Sequence, residues 1–275
     1  MKTLTSIVKQ HALALFCGLT IVLTFAATLL PLPGELVAVV MVFIPALLAI
    51  SLTAVSEGRE GVRSLLGKLA HWRISLKWVA MALVLALVVR LTMSLIALGL
   101  GMISTIQLRP GGPAQYIMLA IVFFVFAIPE ELGWRGYALP KLLQRYSPLT
   151  AGLIVGVLWG SLHLALLLPG MMNEGASPLA TLLGLVGGSV LFTWLYVNSD
   201  GSIVLTTLFH AAQSFFVIVN EGLTGTQQAW LMAGVYLAVA LIVVLATGSR
   251  LTRRPVARIS QTVRATGTSQ PLPRK

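Results

Sequence analysis

Hydrophobic residues form long, nearly unbroken runs along most of this chain. A helix needs about 20 apolar residues to cross the hydrocarbon core of a bilayer, so runs of this length predict membrane-spanning helices. About eight spans are predicted, at residues 11–30, 36–55, 77–103, 114–138, 149–168, 179–197, 203–219 and 230–247. The predicted fold is therefore all-α: a polytopic membrane protein with about eight transmembrane helices in one bundle.

Composition supports a single membrane domain. The chain is 57% hydrophobic and 10% charged, whereas a soluble domain has roughly 25% charged residues. We expect an integral membrane domain over residues 1–248 and a basic, disordered cytoplasmic tail over residues 249–275. The apolar run after Lys9 is longer than a signal-peptide core and lacks a small-residue cleavage site, so the first span should be retained.

Positive charge is distributed unevenly among the connecting segments. If the N-terminus is cytoplasmic, Arg109 is the one basic residue in the predicted outside loops. The inside segments contain the tail residues and Lys2, Lys9, Arg59, Arg63, Lys68, Arg73, Lys77, Arg135, Lys141 and Arg145. This asymmetry predicts a plasma (inner) membrane protein with both termini in the cytoplasm. The net charge of +11 therefore reflects topology, and nucleic-acid binding is not expected because a soluble basic face is absent.

The connection between the second and third spans has an amphipathic pattern. Val62, Leu65, Leu66 and Leu69 recur at helical spacing among the basic residues of segment 57–75. This predicts a short helix on the membrane surface, with anionic lipid headgroups as its partner. A solvated connector is the alternative interpretation.

Two adjacent glutamates end an apolar run in the fourth span. Glu130 and Glu131 follow the uncharged segment 121–129, and an ionisable group at membrane depth indicates function. Glu131 and Arg135 share a helix face and can form an ion pair, which could also be purely structural. Neighbouring helical residues point in different directions, so Glu130 stays free in a desolvated environment. There it can act as a general base toward water.

A histidine in the fifth span is the second candidate. His163 lies near a stripe of Gly152, Gly156 and Gly160, which permits close helix packing and directs His163 into the bundle. Ser147 and Pro148 predict a tight connection between the fourth and fifth spans. Glu130 and His163 are nearly equally far from that connection. In an antiparallel hairpin they would lie at similar depth, so we expect them to meet.

A histidine and a serine in the seventh span complete the candidate set. His210 and Ser214 lie one turn apart, where they could bind a developing oxyanion or make interhelical polar contacts. Other hydrolytic sites are excluded, because Asp200 is the only aspartate and no H-E-x-x-H sequence is present. Ser161 and His163 point to different sides of a helix and do not form a dyad. A glutamate and histidine site that activates water remains.

Three ordered segments resemble the motifs of the CPBP family, which includes type II CAAX prenyl endopeptidases and bacteriocin-processing or self-immunity proteins. The segments are Glu130-Glu131-Leu-Gly-Trp-Arg135, Trp159-Gly-Ser-Leu-His163 and His210-Ala-Ala-Gln-Ser214, within a core of about residues 115–220. The resemblance implies an intramembrane endopeptidase acting on peptide or prenylated peptide substrates.

The resemblance also implies catalytic roles for individual residues. Glu130 would activate the attacking water with help from His163, and His210 would stabilise the oxyanion. Glu131 and Arg135 match the remaining positions of the first motif. The chain has Trp159 where the family often has Phe, and Ser214 where it usually has Asn.

The sequence leaves alternatives open for the cofactor and for the function. We expect no obligatory cofactor, although His163, His210 and Glu130 could together supply three ligands to zinc. The alternative functions are bacteriocin processing or self-immunity, a non-proteolytic membrane scaffold, and a proton-coupled transporter. A transporter would typically show inverted repeats, and no repeat is detected here.

Overall fold

The computed structural model describes residues 4–72, 74–219 and 222–253, and this part of the chain is a bundle of helices without a β-strand. The α-helices are α1 (Leu4–Ala27), α2 (Gly34–Gly67), α3 (Leu76–Gly99), α4 (Pro113–Glu131), α5 (Leu139–Leu143), α6 (Pro148–His163), α7 (Pro178–Asn198), α8 (Ile203–Phe215) and α9 (Gly225–Thr247). A π-helix over Leu132–Ala138 joins α4 to α5. The prediction of an all-α polytopic membrane protein is confirmed.

In the described part of the chain, seven helical segments are long and apolar enough to cross a bilayer. They are Val8–Ala27, Gly34–Ala70, Leu76–Gly99, Pro113–Leu143, Pro148–Leu167, Pro178–Asn198 and Gly225–Arg250. The predicted span at 203–219 is instead the 13-residue helix α8 followed by a short 3-10 turn. At 1.5 Å per residue, α8 is about 20 Å long, less than the hydrocarbon thickness of about 30 Å.

Arg90 of α3 provides a physical reason for the early end of α8. Its Nε donates to the carbonyl of Val219 at 2.7 Å, and its Nη2 donates to the carbonyl of Val217 at 3.2 Å. These carbonyls are directed across the bundle instead of along a continuing helix. The short helix is nevertheless packed firmly into the bundle, because Ile203, Leu205 and Phe209 are completely buried.

Local sequence signals determine where several helices begin. Ser147 accepts a hydrogen bond from the backbone N–H of Thr150 at the start of α6, and Ser202 accepts one from Leu205 at the start of α8. Such N-caps satisfy backbone donors that a helix leaves unpaired. The predicted tight connection between the fourth and fifth spans is present, since α5 ends at Leu143 and α6 begins at Pro148.

The segment after the second span continues α2. Gly58 has a φ of 71° and a ψ of -162°, which is not helical backbone, so α2 consists of two helical parts joined by a kink at a position that favours glycine. The helix then continues to Gly67, with Leu65 buried and Leu66 exposed. The predicted helix is present as an extension of α2. Its position on a membrane surface stays a prediction.

Glycines allow α6 and α7 to pack closely. A Cβ at Gly156 would lie 2.8 Å from the Cα of Val186, and one at Gly152 would lie 2.8 Å from Oγ1 of Thr193. Ser189 of α7 also donates a hydrogen bond to the carbonyl of Gly152 at 2.9 Å. The small-residue stripe therefore packs closely against another helix, as predicted, and the structure shows that this partner is α7, which fixes the helix that carries His163.

The chain immediately after α9 is anchored to α7. Asn198 donates to the carbonyl of Leu251 at 2.8 Å and accepts from the hydroxyl of Thr252 at 2.8 Å. Lys2, Arg73 and residues 254–275, which carry part of the charge pattern, lie outside the described residues. The division into a domain over 1–248 and a tail over 249–275 stays a prediction.

Candidate active site

A π-helix begins immediately after the two candidate glutamates. Turns of this kind are rare and often occur at functional sites. Gly133 lies against α2, where a Cβ would come within 2.5 Å of the Cβ of Pro45. Lys68 donates to the carbonyl of Gly136 at 2.7 Å. An α-helical N–H at position 140 would pair with that carbonyl, but Pro140 has none. The region is thus held by contacts from α2 and its extension.

Glu131 is the centre of a buried charged group. Its Oε1 accepts a hydrogen bond from Nη1 of Arg135 at 2.8 Å and one from Nδ1 of His210 at 3.0 Å. The side chains of Glu131 and Arg135 are both 0% exposed. The two residues therefore form the ion pair that their spacing predicts, and His210 from α8 joins it.

Glu130 points to a different environment from its neighbour. Its Oε2 accepts a hydrogen bond from the indole Nε1 of Trp159 at 2.6 Å. The residue is half-buried, and its Oε1 has no hydrogen-bond partner among the described residues. One carboxylate oxygen is therefore held in place while the other is available to water.

His163 forms a hydrogen bond with the backbone of the same tryptophan. Its Nδ1 lies 2.9 Å from the carbonyl oxygen of Trp159, and a carbonyl only accepts, so Nδ1 carries a proton. In the neutral imidazole, Nε2 then has the free lone pair. The predicted direct contact between Glu130 and His163 is not present as a hydrogen bond. Instead, Glu130 bonds to the indole of Trp159 and His163 to its backbone carbonyl.

Aromatic rings surround the guanidinium of Arg135. Its Cζ lies 4.6 Å from the centroid of the Trp159 ring and 4.0 Å from that of Phe192. Its Nε and Nη2 have no hydrogen-bond partner in the part of the chain that the structure describes. The electron-rich faces of the two rings partly compensate, because cations are attracted to them.

His210 lies against the same two rings. Its ring centroid is 5.6 Å from that of Trp159 and 5.8 Å from that of Phe192, both in edge-to-face arrangements. With Nδ1 bound to Glu131, Nε2 has no partner among the described residues. Ser214 lies one turn further along α8, half-buried, and makes no hydrogen bond to the described residues.

The structure thus assembles most of the predicted site. Glu130, Glu131, Arg135, His163 and His210 come together around Trp159, while Ser214 makes no hydrogen bond to this group. Within the described residues, no group of three or more His, Cys, Asp or Glu is arranged to hold a metal ion. Glu130, His163 and His210 do not converge as the three zinc ligands considered from the sequence.

Two site residues were not identified from the sequence. Phe192 of α7 packs against Arg135, but nothing in its sequence neighbourhood distinguishes it from other apolar residues of that helix. The indole of Trp159 bonds to Glu130; the sequence placed Trp159 in the second motif, one turn before His163, but predicted no role for its N–H.

Comparisons with known proteins fall on this same region. A family model described as "Type II CAAX prenyl endopeptidase Rce1-like" matches residues 112–216, which contain every candidate residue. The chain is also 27% identical over 214 residues to a CAAX prenyl protease 2 from Methanococcus maripaludis. That alignment covers 73% of this chain and 78% of the archaeal protein.

Proposed function

We propose that this multi-pass membrane protein, which is similar to the Rce1-like type II CAAX prenyl endopeptidases, hydrolyses peptide bonds with water activated by Glu130 and His163. The observation that carries this proposal is that only one of the two oxygens of the Glu130 carboxylate has a hydrogen-bond partner among the described residues. Trp159 holds Oε2, and Oε1 is left available at a half-buried position. A general base needs this combination of fixed geometry and access to water.

In the proposed first step, Oε1 of Glu130 accepts a proton from water as the water oxygen attacks the carbonyl carbon of the peptide. Nε2 of His163, whose Nδ1 is bound to the carbonyl of Trp159, accepts a hydrogen bond from the same water and orients it. Collapse of the tetrahedral intermediate breaks the C–N bond. The proton on Glu130 passes to the leaving nitrogen, which gives a free amine and a carboxyl group.

In this mechanism His210 stabilises the oxyanion of the intermediate. Glu131 accepts a hydrogen bond from Nδ1–H of His210, so Nε2 is the nitrogen that can face the reacting oxygen. As the imidazolium, His210 carries a proton on both nitrogens and can donate to both. Arg135 holds Glu131 from the other side. Oxyanion donors of this kind act strongly because the surroundings are dry and preorganised.

The substrate that we propose is a membrane-associated or lipidated peptide, with a prenylated C-terminus as the first choice. We place the protein in the plasma membrane with both termini in the cytoplasm, near anionic headgroups. This topology requires α8 and the segment after it to return the chain across the bilayer, which agrees with the hydrogen bond from Thr226 at the start of α9 to the carbonyl of Gly175 before α7. A non-proteolytic scaffold is the second candidate. One observation favours it: Ser214 makes no hydrogen bond to the described residues, so it contributes no visible support to an oxyanion site.

The test is cleavage of a fluorogenic peptide by the purified full-length protein in vesicles. A farnesylated peptide and the same peptide without the lipid serve as paired substrates. Glu130→Gln keeps the shape of the side chain, and we expect it to reduce turnover by about 100-fold or more. Glu35→Gln, an exposed glutamate in the first turn of α2, is the matched control. Unchanged turnover in Glu130→Gln would refute the mechanism, and cleavage of neither peptide by the wild type would favour the scaffold.

A further inference from the structure

We infer that Trp159 is a positioning residue for the general base: its indole N–H fixes Oε2 of Glu130 and thereby directs Oε1 toward the attacking water. This inference rests on the role proposed above for Glu130. It adds a function for a side chain that does not itself react. It also distinguishes the indole N–H from the rest of the aromatic ring, which packs against other residues.

The hydrogen bond has one possible direction. An indole nitrogen only donates and an ionised carboxylate only accepts, so Nε1 of Trp159 is the donor to Oε2 of Glu130. The two atoms lie 2.6 Å apart, and Trp159 is 4% exposed. A hydrogen bond to an ionised acceptor is shorter and roughly twice as strong as one between neutral groups. Little water reaches the donor to compete with it.

The indole ring is itself held on several sides. It contacts the Phe192 ring edge-to-face at 5.5 Å, and the Arg135 guanidinium lies 4.6 Å from its centroid. The α6 backbone below it packs on α7, where a Cβ at Gly160 would come within 2.7 Å of Leu182. The ring therefore has no room to turn away, so its N–H is a fixed point from which Glu130 is oriented.

If the hydrogen bond between Trp159 and Glu130 were purely structural, its removal would have a different effect. Buried tryptophans usually find an acceptor for their N–H, and Glu130 could simply be the acceptor within reach. In that case the bond would stabilise Trp159, and its loss would lower stability without a specific effect on the chemical step. A positioning role predicts a loss in kcat, because the base is misoriented, while substrate binding stays intact.

Trp159→Phe separates these explanations, because it keeps an aromatic ring against Arg135 and Phe192 and removes the donor, and the loss of stability from its smaller ring is measured separately from kcat. We expect kcat to fall by about tenfold to a hundredfold, with KM within about twofold of the wild type. Trp194→Phe is the matched control, since Trp194 packs on Trp78 at 5.4 Å and contacts none of the site residues. A kcat unchanged in Trp159→Phe, or a rise in KM that accounts for the whole effect, would overturn the inference.

The closing experiment needs no activity, so it fails or succeeds independently of the proposed function. The six tryptophans are labelled with ¹⁵N at the indole nitrogen in the full-length protein, and the resonance of Trp159 is identified by its loss in Trp159→Phe. We expect a downfield indole proton that moves upfield in Glu130→Gln, because the anionic acceptor is gone. Glu35→Gln should leave it unchanged. If Trp159→Phe does not fold, the resonance that moves in Glu130→Gln alone decides the question. No indole resonance moving in Glu130→Gln would refute the bond.

Discussion

The buried ion pair of Glu131 and Arg135 offers a test in which stability and activity respond differently. Glu131→Gln keeps the shape of the side chain and removes the charge that Arg135 and His210 both contact, at 2.8 and 3.0 Å. Both members of the pair are 0% exposed, so Arg135 would be left as a buried charge without its ionic partner. Breaking such a pair costs about 3–5 kcal/mol, a large part of a total stability of about 5–15 kcal/mol.

The double replacement Glu131→Leu with Arg135→Met should behave differently. Exchanging a whole buried pair for apolar residues of similar size is often neutral for stability, because neither member of the pair is left as an unpaired charge. We therefore expect the double variant to be more stable than Glu131→Gln and within about 1 kcal/mol of the wild type. It should still be inactive, because His210 no longer has the carboxylate that fixes Nδ1.

Denaturation of the purified protein in detergent, followed by tryptophan fluorescence and size-exclusion chromatography, measures the stability of each variant, and peptide cleavage measures activity. A matched control comes from the exposed pair of Glu57 and Lys141, which lie 3.4 Å apart with side chains 44% and 29% exposed. Glu57→Gln should change the free energy of unfolding by about 1 kcal/mol or less. The reasoning is wrong if Glu131→Gln is as stable as the wild type, or if the double variant is less stable than Glu131→Gln.

Two further predictions concern the oxyanion site and the topology. His210→Ala should lower the cleavage rate by about 100-fold or more. Ser214→Ala should keep the cleavage rate within about twofold of the wild type, and Ser214→Asn should raise it modestly. A tenfold loss of cleavage rate in Ser214→Ala would show that the hydroxyl takes part. A cysteine placed at Asn173, in the loop between α6 and α7 and in a Cys17→Ser background, should react with an impermeant maleimide in intact cells. Labelling that requires lysis would reverse the predicted orientation.

The membrane fold was largely predictable, because run length and polarity are local properties of the sequence. The errors arise where a distant side chain decides the outcome. The predicted span at 203–219 becomes the short helix α8 since Arg90, more than a hundred residues earlier, binds the carbonyls of Val217 and Val219. The helix after Gly58 was predicted from its amphipathic pattern, but its connection to the second span through a kink at Gly58 was not.

The candidate site follows the same division between local and distant effects. The pairing of Glu131 with Arg135 follows from a spacing of four along one helix and was predicted on that basis. The bond from Trp159 to Glu130 joins two helices, so it depends on how α4 and α6 are rotated against each other. Sequence periodicity shows which residues share a face of one helix, but it does not determine the partner of that face.

The adjacent glutamates acquire separate roles because the protein gives each a different set of contacts. Glu131 is enclosed with Arg135 and binds His210, and a charge in that place is tolerated only because it is paired. Glu130 has one neutral donor and partial exposure, which is the environment that a base requires. In the proposed mechanism, each reacting group is therefore held by a partner that does not react: Glu130 by Trp159, His163 by the Trp159 carbonyl, and His210 by Glu131. Because α6 supplies two of these three supports, its glycine-dependent packing on α7 contributes directly to the geometry of catalysis.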